Sequence, residues 1–190
     1  MFLSSLPDAR IAPSAISLSA ETDGNTSLKP SRIGIWNLNK QSCLSVNPDC
    51  VSKFNELKLG RGGPKYIIYK ISDDQKEIVV DEVGSEPDYD TFREKLIAKK
   101  EASGKDRPSY AIYDVEFELE GGEGKRSKIA FITYINQDNT GVKSRMVYAS
   151  SRETLKNALN GIAMNWQANE PGELEWADLL KEASKGKGTV

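Results

Sequence analysis

The segment SYAIYDVEFEL at residues 109–119 and the segment SKIAFITYI at residues 127–135 decide the fold of this chain. β-branched and aromatic residues dominate both segments, and these residue types are enriched in β-strands. The residues between them include GGEG at 121–124, where glycines can adopt the positive φ angles of a tight turn. The two segments therefore predict a β-hairpin. The broken alternation near Asp114 indicates either a bulge or a buried polar contact.

A second hairpin is predicted upstream, where KYIIYKI at residues 65–71 and KEIVVDEV at residues 76–83 flank a polar turn. A helix is predicted on either side of this hairpin. The first begins at Asn47-Pro48, a favourable N-cap followed by a favourable first residue, and ends at Gly60. The second covers residues 88–100, in which apolar residues recur at helical spacing.

Downstream, residues 142–163 allow two interpretations. Apolar residues, Val142, Met146 and Leu155 among them, keep one face at helical spacing, which favours a helix from Val142 with a bend near Ser150. The capping-box pattern SSRE at 150–153 instead favours a strand followed by a helix that begins at Ser151. Periodicity alone does not decide between them. A final amphipathic helix is predicted over residues 174–185.

The predicted order is helix, hairpin, helix, hairpin, long helix and final helix. This order is typical of an α/β (α+β) domain, in which a central mixed sheet is flanked by helices on both faces. The domain is assigned to residues 44–190. Residues 1–43 are rich in Ser, Ala, Pro, Thr and Asn without a regular period, which predicts a disordered N-terminal extension. The alternative is a translated non-coding stretch from a wrong gene model.

Composition excludes several classes of function. The 190 residues include no histidine, so a histidine-based triad, dyad or metal site cannot form. Cys43 and Cys50 do not have the spacing of paired zinc ligands, and neither a metal nor a cofactor is expected. The 26 basic and 28 acidic residues nearly balance, which argues against nucleic-acid binding. No stretch approaches the roughly 20 apolar residues of a transmembrane segment, and a cytosolic protein is expected.

Candidates for catalysis are few. Cys50 could act as a nucleophile, but no histidine can activate it, and packing as a small apolar residue is the simpler interpretation. Acidic residues alternate on one face of the strand that contains Asp114, and a solvated face explains them more simply than an acid/base pair. The alternating residues are Asp114, Glu116, Glu118 and Glu120. A cysteine- or carboxylate-dependent hydrolase is the hypothesis from the enzyme class.

Basic residues form three groups, which follow the glycine turn, lie on or beside the predicted long helix, and end the chain. These groups are Lys125, Arg126 and Lys128; Lys143, Arg145, Arg152 and Lys156; and Lys181, Lys185 and Lys187. Taken alone, each group is most simply explained as surface charge that keeps the protein soluble. Three groups in a slightly acidic chain favour a binding site for an acidic protein surface or for phosphoinositide headgroups. No aromatic platform is interleaved with them, which further disfavours nucleic acid.

Several motifs occur in a characteristic order. They are FNELKLG at 54–60, YAIYD at 110–114, EGKRSKI at 123–129, KSRMVYASS at 143–151 and ALNG at 158–161. Together they resemble the cofilin/actin-depolymerising factor (ADF) family, and their residues are most similar to those of fungal members. The resemblance implies a single ADF homology domain that binds monomeric and filamentous actin, alters filament twist, and severs and depolymerises filaments without catalysis. It also implies a bent helix from Val142.

The same resemblance implies the site residues. Those that would hold either form of actin are Leu44, Lys143, Arg145, Met146, Arg152, Glu153 and Lys156. Those that would contact a neighbouring filament subunit are Arg126, Lys128, Lys181, Glu182 and Lys185. Ser42 stands where the family carries a regulatory serine, whose phosphorylation would repel an acidic partner.

The resemblance further implies a monomer in the cytoplasm and on the actin cytoskeleton, at patches or the cortex, and in the nuclear matrix. The loops at residues 61–64 and 99–108 are longer than usual for the family, and Asn157 replaces a residue that is often basic there. A coactosin-like protein, which decorates filaments without severing them, is the alternative within actin-binding proteins.

Overall fold

A mixed β-sheet lies at the centre of the computed structural model, which describes residues 44–60, 62–119, 124–185 and 188–189. In chain order its strands are β1 (Ser45–Val46), β2 (Tyr66–Ile71), β3 (Glu77–Gly84), β4 (Ser109–Leu119), β5 (Lys125–Tyr134), β6 (Met164–Ala168) and β7 (Gly188–Thr189). Both predicted hairpins are present, as β2 with β3 and as β4 with β5. Their β-branched and aromatic residues therefore form strands as expected.

Strand order across the sheet is β1-β3-β2-β4-β5-β6, and β7 pairs with the far end of β4. The pairs β1 with β3 and β5 with β6 are parallel, whereas the other neighbours are antiparallel. A parallel pair needs a long crossover connection. The connection between β5 and β6 contains the longest helix of the described chain, so the sheet itself fixes the position of that helix.

Helices flank the sheet, and two of them begin at residues whose side chains cap the helix. The α-helices formed by the described residues are α1 (Pro48–Leu59), α2 (Tyr89–Ile97), α3 (Val142–Ala158) and α4 (Trp176–Ser184). The Asn47 side chain accepts a hydrogen bond of 3.0 Å from the Asp49 amide, which caps α1 as predicted. Asp88 caps α2 in the same way, through the Thr91 amide at 2.9 Å. Gly60 ends α1 with a φ of 63°.

Hydrophobic cores fill both faces of the sheet, which confirms the predicted architecture. One face packs against α1 and α3 and buries Cys50, Phe54, Leu57, Ile67, Tyr110, Phe131, Tyr148 and Leu155, among others. The other packs against α2 and α4 and buries Tyr66, Phe92, Leu96, Val115, Phe117, Ile132, Leu179 and Ala183, among others. Residues of one strand alternate between the two cores, as the pleat of a sheet requires.

Three helices have boundaries that differ from the predicted ones. Helix α2 ends at Ile97 rather than near residue 100, because Lys100 forms an isolated bridge with Asp106 and leaves the helical path. Helix α3 begins at Val142, so the alternative interpretation, with a strand at residues 145–149 and a helix from Ser151, is wrong. It ends at Ala158 rather than 163, shortly before Gly161, whose φ of 113° is incompatible with a helix. The final helix, α4, is also shorter than predicted.

Three strands were missing from the predicted order, namely β1, β6 and β7. Strands β1 and β7 have two residues each, too few to produce a pattern. Strand β6 has five, of which only its first and last residues are buried. Its conformation depends on pairing with β5, from Ala130 with Met164 to Tyr134 with Ala168. Such pairing between distant segments leaves no periodic signal in the sequence.

Asp114 makes a half-buried polar contact and does not form a bulge. The ladder between β4 and β5 continues without a shift past Asp114, which pairs with Ile129. Its carboxylate lies 3.5 Å from the Lys65 ammonium. Burial, followed by the opposing effect of Lys65, leaves the pKa of Asp114 above its ordinary value. The irregularity of the sheet lies instead in β2, between Ile68 and Tyr69.

Gly84, the last residue of β3, permits close packing against the ring of Tyr66. A Cβ atom at Gly84 would lie 2.1 Å from the Cζ atom of that ring. The Gly84→Ala variant is therefore expected to lower the free energy of unfolding by about 1–3 kcal/mol, because the buried ring must move. Chemical denaturation measures the change. Gly172→Ala, where nothing lies within 4 Å of the added carbon, is the control and should change the value by less than about 0.5 kcal/mol.

Candidate functional site: two charged surfaces

The outer face of α3 presents large apolar side chains to solvent. Val142 is 63% exposed and Met146 is 68% exposed. The inner face instead buries Tyr148 and Leu155 in the core. The prediction that Val142, Met146 and Leu155 share one apolar face is therefore wrong, because successive residues turn by about 100° and place the first two opposite the third. Helix α3 has an inner and an outer apolar surface.

Charged residues surround the exposed pair. Arg145, Arg152 and Lys156 follow one side of α3 at helical spacing, and Lys143 lies on the other side. The Arg145 guanidinium donates to the Gln137 carbonyl at 3.1 Å. We call this set the α3 surface. It consists of Val142, Lys143, Arg145, Met146, Arg152, Glu153 and Lys156.

Two of these charged side chains are held in place by neighbours. The Arg152 guanidinium donates to the Gln167 side chain of β6 at 3.1 Å. Lys156 lies 3.4 Å from the carboxylate of Glu153, one turn away on α3. A groove of about 360 Å³ separates α3 from the end of β6 and is lined by Ile135, Arg145, Met146, Ala149 and Gln167, among others. Strand β6, which was absent from the sequence-based order, is therefore part of this site.

Hydroxyl groups anchor α3 to the sheet beneath it. The Tyr148 hydroxyl accepts a hydrogen bond of 3.0 Å from the backbone amide of Ile71, at the end of β2. The Tyr110 hydroxyl of β4 donates to the Tyr148 carbonyl at 2.5 Å. Ser151 donates to the carbonyl of Val147, four residues earlier, at 2.7 Å. Such back-bonding often bends helices, and the bend predicted near Ser150 stays a prediction.

A second set of charged residues lies where the start of β5 meets the end of α4. Arg126 and Lys128 point to the same face of the sheet as their partners Phe117 and Val115, which belong to the core beneath α4. The Lys128 ammonium donates to the Ala183 carbonyl in the last turn of α4. We call this set the α4 surface. It consists of Arg126, Lys128, Lys181, Glu182 and Lys185.

The α4 surface owes its shape to helix termination. Lys185 adopts a left-handed conformation, with a φ of 54°, and its amide bonds to the carbonyls of Lys181 and Glu182. The Lys128 ammonium lies 5.7 Å from the centre of the Phe117 ring. A cation at a helix C-terminus is favourable because the last carbonyls carry partial negative charge. Lys128 therefore has a structural role in addition to any role in binding.

The two surfaces lie on opposite faces of the sheet. Helix α3 packs on one core and α4 on the other, and the side chains of Arg126 and Lys128 point to the α4 side. One partner cannot easily reach both surfaces. The arrangement therefore fits a protein that contacts two partners, or two copies of one partner, at once.

Three residues that the sequence analysis named are not among the residues of these two surfaces. Leu44 is only 6% exposed and packs in the core beneath α1 and α3, so its side chain is not part of the α3 surface. Ser42 and Lys187 lie outside the described residues.

Groups suited to catalysis are not activated. The Cys50 thiol is fully buried and donates to the Ile78 carbonyl at 3.3 Å. Burial, with smaller contributions from nearby carboxylates, raises the pKa of Cys50 to about 11, so the thiolate is scarce at neutral pH. Lys65 pairs with Glu116 at 2.7 Å on the acidic face of β4. These residues are explained by packing and ion pairing.

Two structural features are absent from the described residues. Across these parts of the chain, no cluster of three or more Cys, Asp or Glu side chains is arranged to hold a metal ion. Nor does any helix in the described ranges have the length and apolar character needed to cross a bilayer.

Comparisons with known proteins link this arrangement to one family. A family model for cofilin/tropomyosin-type actin-binding proteins matches residues 43–184. The cofilin of Gibberella zeae is 44% identical over 151 residues, which cover 77% of this chain and 97% of the relative. The cofilin of Saccharomyces cerevisiae is 40% identical over 149 residues, which cover 78% of this chain and 98% of the relative.

A solved structure has the same fold. The crystal structure of Streptomyces griseoflavus cofilin matches with a TM-score of 0.66 and 34% identity, and the match covers 75% of this chain and 98% of that one. The family match spans β5, α3 and α4, the elements that build both candidate surfaces. This chain thus contains nearly the full length of each of these proteins.

Proposed function

Because the chain belongs to the cofilin/ADF family of actin-binding proteins, we propose that its α3 surface binds monomeric and filamentous actin and that its α4 surface binds a second subunit within filaments. As a cofilin homologue, the protein binds actin, severs and depolymerises actin filaments, and is not an enzyme. It acts in the cytoplasm, at the actin cytoskeleton.

The exposure of Val142 and Met146 is the observation on which the α3 assignment rests. Apolar side chains at the centre of a patch, surrounded by charged residues, are typical of the core and rim of a protein interface. Neither side chain contributes to the buried core of the domain. Lys143, Arg145 and Arg152 supply the positive rim that an acidic partner would meet.

The opposite placement of the α4 surface supports a second contact. A filament presents adjacent subunits, whereas a monomer presents one, so a surface on the far side of the sheet contributes to binding only in the filament. A protein that touches two subunits binds most tightly to the twist that suits both contacts, and binding shifts the filament toward that twist. Boundaries between decorated and bare segments are then the weak points at which severing occurs.

Sedimentation and microscopy test the assignment to severing. The purified full-length chain is expected to pellet with actin filaments and to increase the number of filament ends counted by fluorescence microscopy. If it pelleted with filaments without creating new ends, the coactosin-like alternative would be supported instead. A chain that bound neither filaments nor monomers would contradict the function as a whole.

We also propose that the α3 surface binds phosphoinositide headgroups, in competition with actin. Each basic residue close to an anionic membrane contributes about 1 kcal/mol to binding. Replacing both Arg152 and Lys156 by Ala is therefore expected to weaken binding to vesicles that contain phosphatidylinositol 4,5-bisphosphate by about tenfold or more. Vesicle sedimentation measures this. Lys53→Ala with Lys76→Ala, which removes equal charge from other elements, should have a smaller effect, and equal losses would contradict the proposal.

The domain boundaries and finer location are proposals too. The actin-binding domain is assigned to residues 44–190, with residues 1–43 as an N-terminal extension that includes Ser42, the proposed phosphorylation site. The intact mass of the protein from its native source tests whether the extension is present. We place the protein, as a monomer, at actin patches and the cortex, and in the nuclear matrix. Fluorescent tagging tests that placement.

A further inference from the structure

The first turn of α3 lacks the features that normally stabilise a helix N-terminus. Its N-cap is Gly141, which has no side chain to bond the free amides. The first turn contains no acidic residue, and Lys143 and Arg145 place positive charge near the positive end of the helix dipole. This turn carries Val142, and Met146 follows directly after it, so the part of the α3 surface around these two side chains lies at the weakly capped end of the helix.

A buried carboxylate, that of Asp106, holds the segment that leads into α3. Its side chain is only 7% exposed. The Asn136 side-chain amide donates to one carboxylate oxygen at 2.6 Å, and the Asn139 amide donates to the other at 3.0 Å. The Lys100 ammonium also donates to Asp106, and the Asp106 backbone amide donates to the Asn139 carbonyl at 3.0 Å. We call these four residues the Asp106 hub.

Charge keeps the hub together at neutral pH. Burial acts to raise the pKa of Asp106, but hydrogen bonds from Lys100, Asn136 and Asn139 outweigh it, and the pKa lies below its ordinary value. The carboxylate is therefore ionised, and each of its oxygens accepts a hydrogen bond. A neutral side chain at this position would lose the charge that attracts Lys100 and would weaken the hydrogen bonds that Asn136 and Asn139 donate.

The hub is connected to the α3 surface through the segment at residues 136–141. Gln137, which lies between the two asparagines of the hub, accepts the hydrogen bond from Arg145 through its carbonyl. Its amide donates to the Asn169 carbonyl, next to β6, at 3.1 Å. Movement of this segment would therefore displace the Arg145 guanidinium and release the residues before the first turn of α3.

We infer that Asp106 is a positioning residue for actin binding, because its carboxylate holds residues 136–141 and thereby the first turn of α3. This inference rests on the proposed binding of actin by the α3 surface. Asp106 acts through the helix that it orders and does not itself contact actin. Loss of its charge lets the segment open and lets the first turn of α3 fray, and actin affinity falls.

A direct electrostatic role would give the opposite result. Removing a negative charge near a basic surface strengthens attraction to an acidic partner. Under that view, Asp106→Asn would bind actin more tightly. Asp138 is the matched control, because it is exposed in the same segment. Its backbone amide donates to the Asn136 side chain at 3.1 Å, and Asp138→Asn removes the same charge while keeping that amide.

Titration of fluorescent monomeric actin, together with hydrogen exchange, tests the inference on the full chain. Asp106→Asn is expected to weaken actin binding by about tenfold, which corresponds to about 1.4 kcal/mol, whereas Asp138→Asn should bind at least as tightly as the unmodified chain. Amide exchange at residues 137–146 should accelerate at least about tenfold in Asp106→Asn, with no change at residues 130–134 in β5. A general loss of stability would accelerate both.

A milder variant covers the case in which Asp106→Asn folds poorly. Asn139→Ala removes one donor and keeps the carboxylate, and it should shift actin affinity and exchange in the same direction by a smaller factor. Unchanged affinity in both variants, or weaker binding without faster exchange at residues 137–146, would overturn the inference. If the unmodified chain bound no actin, the proposed function would fail, and the exchange experiment would still decide whether Asp106 holds the segment.

Discussion

Met146→Glu is expected to weaken binding to both monomeric and filamentous actin by about a hundredfold. The side chain lies at the centre of the α3 surface and is 68% exposed, so the partner must cover it. A carboxylate there would lose the apolar contact and would be buried against an acidic partner, at a cost of about 3 kcal/mol, as for other central interface residues. Because Met146 is not part of the core, the melting temperature should change by less than about 2 °C. Titration and calorimetry measure the two quantities.

Leu59→Glu is the matched control for Met146→Glu. Leu59 is the most exposed of the large apolar residues in the described chain, at 76%, and it ends α1 and is not one of the residues of the α3 surface. The same type of change in polarity and charge should alter actin binding there by less than about twofold, as expected for a residue outside an interface. Equal losses from both variants would show that the net charge of the chain, and not the α3 surface, controls binding.

Replacing both Arg126 and Lys128 should separate filament binding and severing from monomer binding. The double Ala variant is expected to bind filaments at least about tenfold more weakly, to lose severing, and to keep monomer binding within about twofold. The reason is geometric, because these side chains lie on the face of the sheet opposite α3. Co-sedimentation with filaments and titration of monomers measure the two affinities.

The structural role of Lys128 requires a further control. Its ammonium bonds the end of α4, so truncation is also expected to lower the free energy of unfolding by about 1 kcal/mol. Arg126→Ala alone leaves that bond in place and should retain most of the selective loss. Lys53→Ala with Lys76→Ala removes the same charge from α1 and from the turn before β3 and should leave filament binding nearly unchanged. Equal loss of monomer and filament binding in the Arg126 and Lys128 variants would contradict the assignment.

Much of the fold could be predicted because its signals are local. The caps at Asn47 and Asp88 each satisfy amides within three residues, so the sequence alone indicates where α1 and α2 begin. The hairpins combine strand-forming residues with short polar or glycine-rich turns. The mixed sheet with helices on both faces follows from this order of elements.

Features that depend on distant contacts could not be predicted in this way. Strand β6 exists because it pairs with β5 some thirty residues earlier. Met146 and Leu155 are nine residues apart and therefore lie on opposite sides of one helix, but the sequence does not show which of the two sides faces the sheet. The burial of Tyr148 and Leu155 in the core between α3 and the sheet sets the rotation of α3.

The candidate site likewise combines features that local sequence indicates with features that depend on distant contacts. The motifs that resemble the family point to α3 and to the start of β5, and the structure places them on two separate surfaces. Leu44 had the same support from resemblance, but its side chain is buried. The Asp106 hub could not be found from sequence, because its carboxylate joins residues that lie 30 and 33 positions away.

Strand β5 gives the molecule a mechanical property. It carries Arg126 and Lys128 near its start and leads directly into the segment before α3, so a single strand joins the two surfaces over about 30 Å. Strand β4 borders its whole length and β6 borders its second half. Tension between two bound subunits would pull along this strand and load many hydrogen bonds in shear. The protein should therefore deform little under such tension. Strain between neighbouring subunits is then stored in the filament and not in the bound protein.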